Sequence, residues 1–145
     1  MESEVPETLV RLLVMDDEHC IRYTTHQLLT SAGYQVDSVR DGEEAICRYR
    51  EAMLLGNPYQ LVILDLVVPN GSGAVSALST LEKLDPGVKA VVISGYADAP
   101  EMTSPRRHGF CASLPKPYGK EELCTLIEKV LKDKTESERI SGQTA

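Results

Sequence analysis

Four places in this sequence set an acid, a hydroxyl or an amine at the end of a short apolar run. They are Asp16-Asp17-Glu18 after Leu12-Leu13-Val14-Met15, Asp65 after Leu61-Val62-Ile63-Leu64, Ser94 after Val91-Val92-Ile93, and Lys116 just beyond Leu114. Asp65 is the most informative. A run that short and that apolar reads as a buried central strand, and Pro69-Asn70-Gly71 beyond it forces a turn. A carboxylate at that point is desolvated and needs a partner or a task. Brought together, Asp16, Asp17 and Asp65 would repel one another strongly in a low-dielectric cleft. A hard divalent cation relieves such repulsion, and magnesium commonly uses one or two carboxylates with waters and phosphate oxygens. Lys116 adds a compact positive charge suited to phosphate.

For these residues to act together, their strands must end on one edge of a sheet. Five strands are expected, at about Leu9–Met15, Tyr34–Val39, Gln60–Leu64, Val88–Ile93 and Phe110–Leu114. Helical patterns separate them. The first, about Glu18 to Ser31, puts Ile21, Thr25, Leu28, Leu29 and Ala32 on one face, with Gly33 as C-cap. The second starts from Asp41 as N-cap and groups Ala45, Ile46, Tyr49 and Met53. The third, about Ser72 to Leu84, turns Val75, Leu78, Leu81 and Leu84 inward. The fourth, Ala97 to His108, is weakened by two prolines: Pro100 suits a first turn, whereas Pro105 shortens or kinks a helix. The fifth runs from about Lys120 to Lys132. Strict alternation with short connections implies an α/β fold with parallel strands, right-handed crossovers and helices on both faces. In an open parallel sheet, ligands sit at the carboxyl ends of the strands.

The 145 residues suit one domain, residues 9–132, with a short N-terminal extension (1–8) and a polar, disordered tail (133–145). The net charge of −7, with no basic cluster longer than Arg106-Arg107-His108, makes duplex nucleic acid and anionic membrane poor partners for this chain alone. No run is long enough to span a bilayer, and the acidic start Met1-Glu2-Ser3-Glu4 is wrong for a secretory signal. Cys20, Cys47, Cys111 and Cys124 have no CxxC-type spacing and read as reduced core thiols of a cytoplasmic protein.

In order, these motifs resemble the receiver domain of two-component response regulators over roughly residues 9–132. The likeness rests on Val14-Met15-Asp16-Asp17-Glu18, Asp41-Gly42-Glu43-Glu44-Ala45, Leu64-Asp65-Leu66-Val67-Val68-Pro69, Ser94-Gly95-Tyr96 and Lys116-Pro117-Tyr118. It is nearest to the C-terminal receivers of hybrid sensor histidine kinases. The resemblance implies a flavodoxin-like doubly wound (βα)5 sandwich with strand order 2-1-3-4-5. It implies that Asp65 accepts the phosphoryl group from a phosphohistidine of a histidine kinase or histidine phosphotransfer domain. Asp17, Asp65 and the backbone carbonyl of Val67 would bind Mg²⁺, with Asp16 acting through water. Ser94 and Lys116 would hold phosphoryl oxygens, and the Lys116–Pro117 peptide would be cis. The chain would be a self-phosphorylating phosphorelay switch rather than a turnover enzyme, stand-alone or part of a histidine kinase. A homodimer through the fourth helix, fifth strand and fifth helix would be available to it.

Two departures from the pattern matter. Many receivers carry an aromatic residue three positions before the lysine; here it is Ser113, so the usual aromatic switch is not carried over. Phe110 and Tyr96 are the nearby residues that could supply bulk. Val67 and Tyr96, two residues after Asp65 and Ser94, flank the path of a hydrolytic water and cannot orient it, which implies slow self-dephosphorylation. The rival readings fit less well. A haloacid-dehalogenase-like phosphatase would want an acid at Val67. A flavodoxin-like cofactor binder would meet repulsion from Asp16-Asp17-Glu18. A receiver-fold interaction module without chemistry would not need the complete acidic and lysine set. Taken singly, Ser94 reads as a turn residue, Asp16-Asp17-Glu18 as a helix start, Lys116 as a solvated lysine and Tyr118 as packing.

Overall fold

The computed structural model describes residues 9–133. Its elements alternate as expected: β1 (Arg11–Met15), α1 (His19–Ser31), β2 (Gln35–Val39), α2 (Gly42–Leu54), β3 (Leu61–Asp65), α3 (Ala74–Leu84), β4 (Ala90–Ser94), α4 (Pro100–Thr103), a 3₁₀ turn (Pro105–His108), β5 (Ala112–Pro115) and α5 (Lys120–Lys132). All strand pairs are parallel and the sheet order is β2-β1-β3-β4-β5. Met15 pairs with Leu64, Asp65 with Ile93 and Ser94 with Pro115, so the carboxyl ends of β1, β3, β4 and β5 finish level.

Alternation along each strand divides the interior into two cores. Leu13, Met15, Val62, Leu64 and Val92 pack against Ala45, Tyr49, Leu78 and Leu81 of α2 and α3. Leu12, Val14, Leu61, Ile63 and Ile93 pack against Leu29, Leu123 and Ile127 of α1 and α5. Strands covered on both faces must be apolar on both, which is why β1, β3 and β4 read as continuous apolar runs.

Local chemistry ends most helices where expected, but α4 covers only Pro100–Thr103 of the expected Ala97–His108 because of its two prolines. Ala32 is the C-cap of α1 and Gly33 follows it at φ 100°. Gly33 N–H donates to the Thr30 carbonyl and Tyr34 N–H to the Leu29 carbonyl, the paired bonds of a Schellman motif. The Asp41 side chain accepts from Glu44 N–H at 3.0 Å, and the Glu44 carboxylate in turn accepts from Arg40 N–H at 2.8 Å. Pro100 starts α4, and the chain reaches Pro105 after a single helical turn. A Cβ at Gly73, the N-cap of α3, would lie 2.4 Å from the Leu66 carbonyl oxygen, so the loop after Asp65 closes only over glycine.

Several expectations need correction. The strands begin one or two residues later than anticipated, and β3, β4 and β5 also end one residue later, because Gln60, Val88 and Phe110 still belong to the incoming turns. Met53 and Val75 are exposed rather than inward. The buried stripe of α2 is Ala45, Tyr49 and Ala52, and that of α3 is Ala74, Ala77, Leu78 and Leu81. Met53 and Val75 each follow a stripe residue by one position and so point about 100° away. Ala32 is likewise exposed at the end of α1. The cysteines are not core thiols: Cys20 and Cys47 are exposed and Cys111 and Cys124 half-buried, all four being free. No described helix is long and apolar enough to cross a membrane. The expected extension 1–8 and the tail beyond Asp133 lie outside the described residues.

Candidate functional site

Each site residue is fixed by the strand that ends at it. Asp16 N–H donates to the Val39 carbonyl at 3.1 Å, Leu66 N–H to the Ile93 carbonyl at 2.9 Å and Lys116 N–H to the Ser94 carbonyl at 2.9 Å. The β-ladder therefore continues into the loops and delivers Asp16, Asp65, Ser94 and Lys116 to one edge. The cleft they form has a volume of about 490 Å³ and is lined by Asp17, Glu18, Asp65, Val67, Pro69, Ser94, Gly95, Tyr96 and Lys116.

Carboxylates outnumber cations at its floor. Asp16 and Asp65 are buried, and their oxygens and one of Asp17 lie within 4.8 Å of one another. Lys116, its side chain only 10% exposed, reaches three acids: Glu18 at 2.9 Å, Asp16 at 3.0 Å and Asp65 at 3.3 Å. Asp16 Oδ1 accepts from Glu18 N–H at 2.9 Å, while Asp16 Oδ2 has no aligned hydrogen-bond donor among the described residues despite its nearness to Nζ. Burial first, and then the Asp16 charge, push the Asp65 carboxyl up to about 7, against the pull of Lys116. Burial works against the Lys116 ammonium, but Glu18, Asp16 and Asp65 more than offset this and hold it above the ordinary lysine value. A compact set of hard oxygens, one of them buried without an aligned hydrogen-bond donor, with a carboxylate excess, fits a divalent cation such as Mg²⁺.

Ser94 is buried at the end of β4, and its Oγ accepts from Tyr96 N–H at 3.0 Å, leaving the hydroxyl proton free to donate. Val67 and Tyr96, 47% and 64% exposed, stand at the cleft mouth. The Lys116–Pro117 peptide is cis. All the expected site positions (Asp16, Asp17, Asp65, Val67, Ser94 and Lys116) therefore meet at this edge.

Three features were not anticipated. Glu18, read as a helix start, is an ion-pair partner of Lys116. Tyr118, read as packing, has its hydroxyl 2.8 Å from Thr25 Oγ1, and burial raises its pKa. A threonine at an inward helix position was the signal, since a buried hydroxyl needs a partner. Ser113, at the position where an aromatic is usual, donates to the Met102 carbonyl at 2.7 Å and ties β5 to α4. Phe110 is buried in the core beside α2 and α3, so of the two bulky candidates only Tyr96 stands near the cleft.

Comparisons with known proteins agree with this geometry. The family model described as response regulator receiver domain matches residues 12–128. The response regulator receiver protein CpdR of Brucella abortus is 31% identical over 124 residues, covering 83% of this chain and 96% of that protein. The sensor kinase CckA of the same organism is 32% identical over 123 residues, but the chain spans only 12% of its length. Against transcription factor SKN7 of Candida albicans, the chain spans 22% of the relative's length. A CheY-like receiver domain protein from Methanospirillum hungatei superposes with a TM-score of 0.74 at 27% identity, over 86% of this chain and 94% of that one. The response regulator TrrA of Thermotoga maritima, solved in complex with Mg(2+)-BeF, superposes at 0.69 with 26% identity over 84% and 99% of the two chains.

Proposed function

This chain belongs to the response regulator receiver domain family, the modules of two-component signalling phosphorylated on aspartate, and we propose that its phosphoacceptor is Asp65, served by Lys116, Ser94 and a Mg²⁺ ion held by Asp17, Asp65 and the Val67 carbonyl. The observation that carries this reading is the position of Asp65: a buried strand-end carboxylate, 3.3 Å from a lysine and within a cluster of acids, opening onto a cleft. A carboxylate oxygen of Asp65 attacks phosphorus, and the bond from phosphorus to the donor's imidazole nitrogen breaks, leaving its electron pair on that nitrogen. Lys116 leaves its carboxylate partners to pair with a phosphoryl oxygen, and Ser94 donates its free hydroxyl proton to another. Asp16 would help hold the metal from the floor of the cleft. Bound Mg²⁺ supplies charge compensation for the carboxylates and the phosphoryl oxygens. The protein's share of the work is positioning and electrostatics.

The donor in this reading is a histidine kinase or a histidine phosphotransfer domain in the cytoplasm. The likeness to a sensor kinase along one segment supports placing the chain as the receiver of a hybrid histidine kinase. The phosphatase reading falls with the family assignment, and Val67 leaves it no general acid. Val67 and Tyr96 at the cleft mouth support a long-lived phosphoryl group. A homodimer through α4, β5 and α5 is a separate proposal; α4 contributes only one turn to it, and light scattering of the phosphorylated chain tests it.

Phosphoramidate, which carries the same phosphorus–nitrogen bond, tests the transfer. With Mg²⁺ it gives an acyl-phosphate resonance in the ³¹P spectrum of the wild type and none for Asp65→Asn. A resonance of equal intensity in the variant places the phosphoryl group elsewhere.

A further inference from the structure

We infer that Thr25 and Tyr118 form a positioning pair that sets where the Lys116 ammonium stands over Asp65, by tying the loop between β5 and α5 to the middle of α1. The inference rests on Asp65 as phosphoacceptor and deepens that reading. Thr25 is 1% exposed on the inward face of α1, and its Oγ1 lies 2.8 Å from the Tyr118 hydroxyl. Tyr118 follows Lys116 by two residues. On one side of it, Lys116 N–H is held by the Ser94 carbonyl at 2.9 Å; on the other, Gly119 N–H donates to Glu122 at 2.9 Å as α5 begins. The Tyr118 ring packs against the core beside α1 and α5, but the stretch also borders open space. A cavity of about 490 Å³, bordered by Ile21, Leu28, Pro117 and the pair itself, lies between the loop and α1.

The contacts of Lys116 with Glu18, Asp16 and Asp65 must yield when a phosphoryl group arrives. The Thr25–Tyr118 bond involves neither Lys116 nor a carboxylate and persists through the reaction. Its anchor is the helix that also holds the acidic loop: α1 starts directly after Glu18, and Arg22 Nη1 donates to the Asp16 carbonyl at 2.7 Å. The pair thus references the lysine side and the acid side of the cleft to a single rigid element. A buried hydroxyl pair has no stability advantage over an apolar pair of the same shape, so a mechanical role accounts for it better than stability does.

The test uses the full chain with acetyl phosphate and Mg²⁺. Thr25→Val and Tyr118→Phe each orphan one buried hydroxyl and lower Tm, whereas the double variant removes both and recovers most of the loss. All three slow phosphorylation by about 3- to 10-fold, since small misplacements of a catalytic group are costly, and leave Mg²⁺ affinity measured by calorimetry unchanged. Thr25→Ser keeps the hydroxyl and the wild-type rate. A double variant with restored Tm and the wild-type rate overturns the inference, because the bond is then structural only. If its Tm is not restored, equal rates for Thr25→Ser and Thr25→Val overturn it. A wild type that takes no phosphoryl group overturns the underlying reading instead.

Discussion

The strand β1 carries a charged network at each end, and the two are balanced in opposite ways. At its amino end Arg11 donates to Asp37 at 3.0 Å and to the Asn57 carbonyl, and its guanidinium lies 4.4 Å from the centre of the Tyr59 ring. The Tyr59 hydroxyl donates to the same Asp37 oxygen at 2.6 Å, and Arg48 stands 3.7 Å from it. One carboxylate there meets two guanidinium groups and a phenol. At the carboxyl end, four residues further along β1, Asp16, Glu18 and Asp65 share the single ammonium of Lys116, with Asp17 beside them. Stability alone favours the first arrangement, because a buried charge without full compensation is expensive. The acid excess is retained at the edge where a cation and a phosphoryl group are to be received, as expected of a site that departs from local rules for function.

The contrast can be broken from either end. The largest effect is expected for Lys116→Met, which removes the only cation on the cleft floor among the described residues and should slow phosphorylation by acetyl phosphate about 100-fold; a rate within a few-fold of wild type would mean Lys116 does not touch the phosphoryl group. Next is the effect of Asp65→Asn on stability in metal-free buffer. Because the Asp65 carboxyl is raised from 3.8 to about 7 in the folded state, ionisation costs stability progressively as pH rises from 4 through 7. Urea titrations with EDTA should show the variant more stable than wild type by about 1–3 kcal/mol at pH 8, and by much less at pH 5. A difference independent of pH would contradict the charge account. At the balanced end, Asp37→Ala should destabilise the fold by about 1–2 kcal/mol through the stranded Arg11 and Tyr59, and leave the phosphorylation rate unchanged. Smallest is the change in phosphoryl lifetime: Val67→Asn with Tyr96→Glu should shorten the half-life about 3- to 10-fold by opening and polarising the water path. An unchanged half-life would remove these two side chains from the account.

Much of this edge was legible because strand ends are legible. An apolar run stopping at Asp65, and others stopping at Asp16 and Ser94, place the acids and the hydroxyl at strand ends, and alternation of strands and helices puts them on one side of the sheet. Side-chain direction within helices was less readable. Met53 and Val75 fit a hydrophobic list yet sit one residue off their stripes, and Cys20 and Cys47 lie on exposed helix faces that apolar neighbours had disguised. The pairings of Glu18 with Lys116 and of Thr25 with Tyr118 join residues more than ninety positions apart. Only the fold brings such partners together. The reduction of α4 to one turn was half-visible, since Pro105 marked where the helix fails but not that a 3₁₀ turn would replace it.

The central claim, that Asp65 is the phosphoacceptor of a metal-dependent site, is tested most directly by intact mass after incubation with acetyl phosphate. The account predicts a single phosphate adduct on the wild type with Mg²⁺, and none on Asp65→Asn or in EDTA. An adduct of equal yield on the folded Asp65→Asn variant, or one formed equally well without the metal, would contradict it.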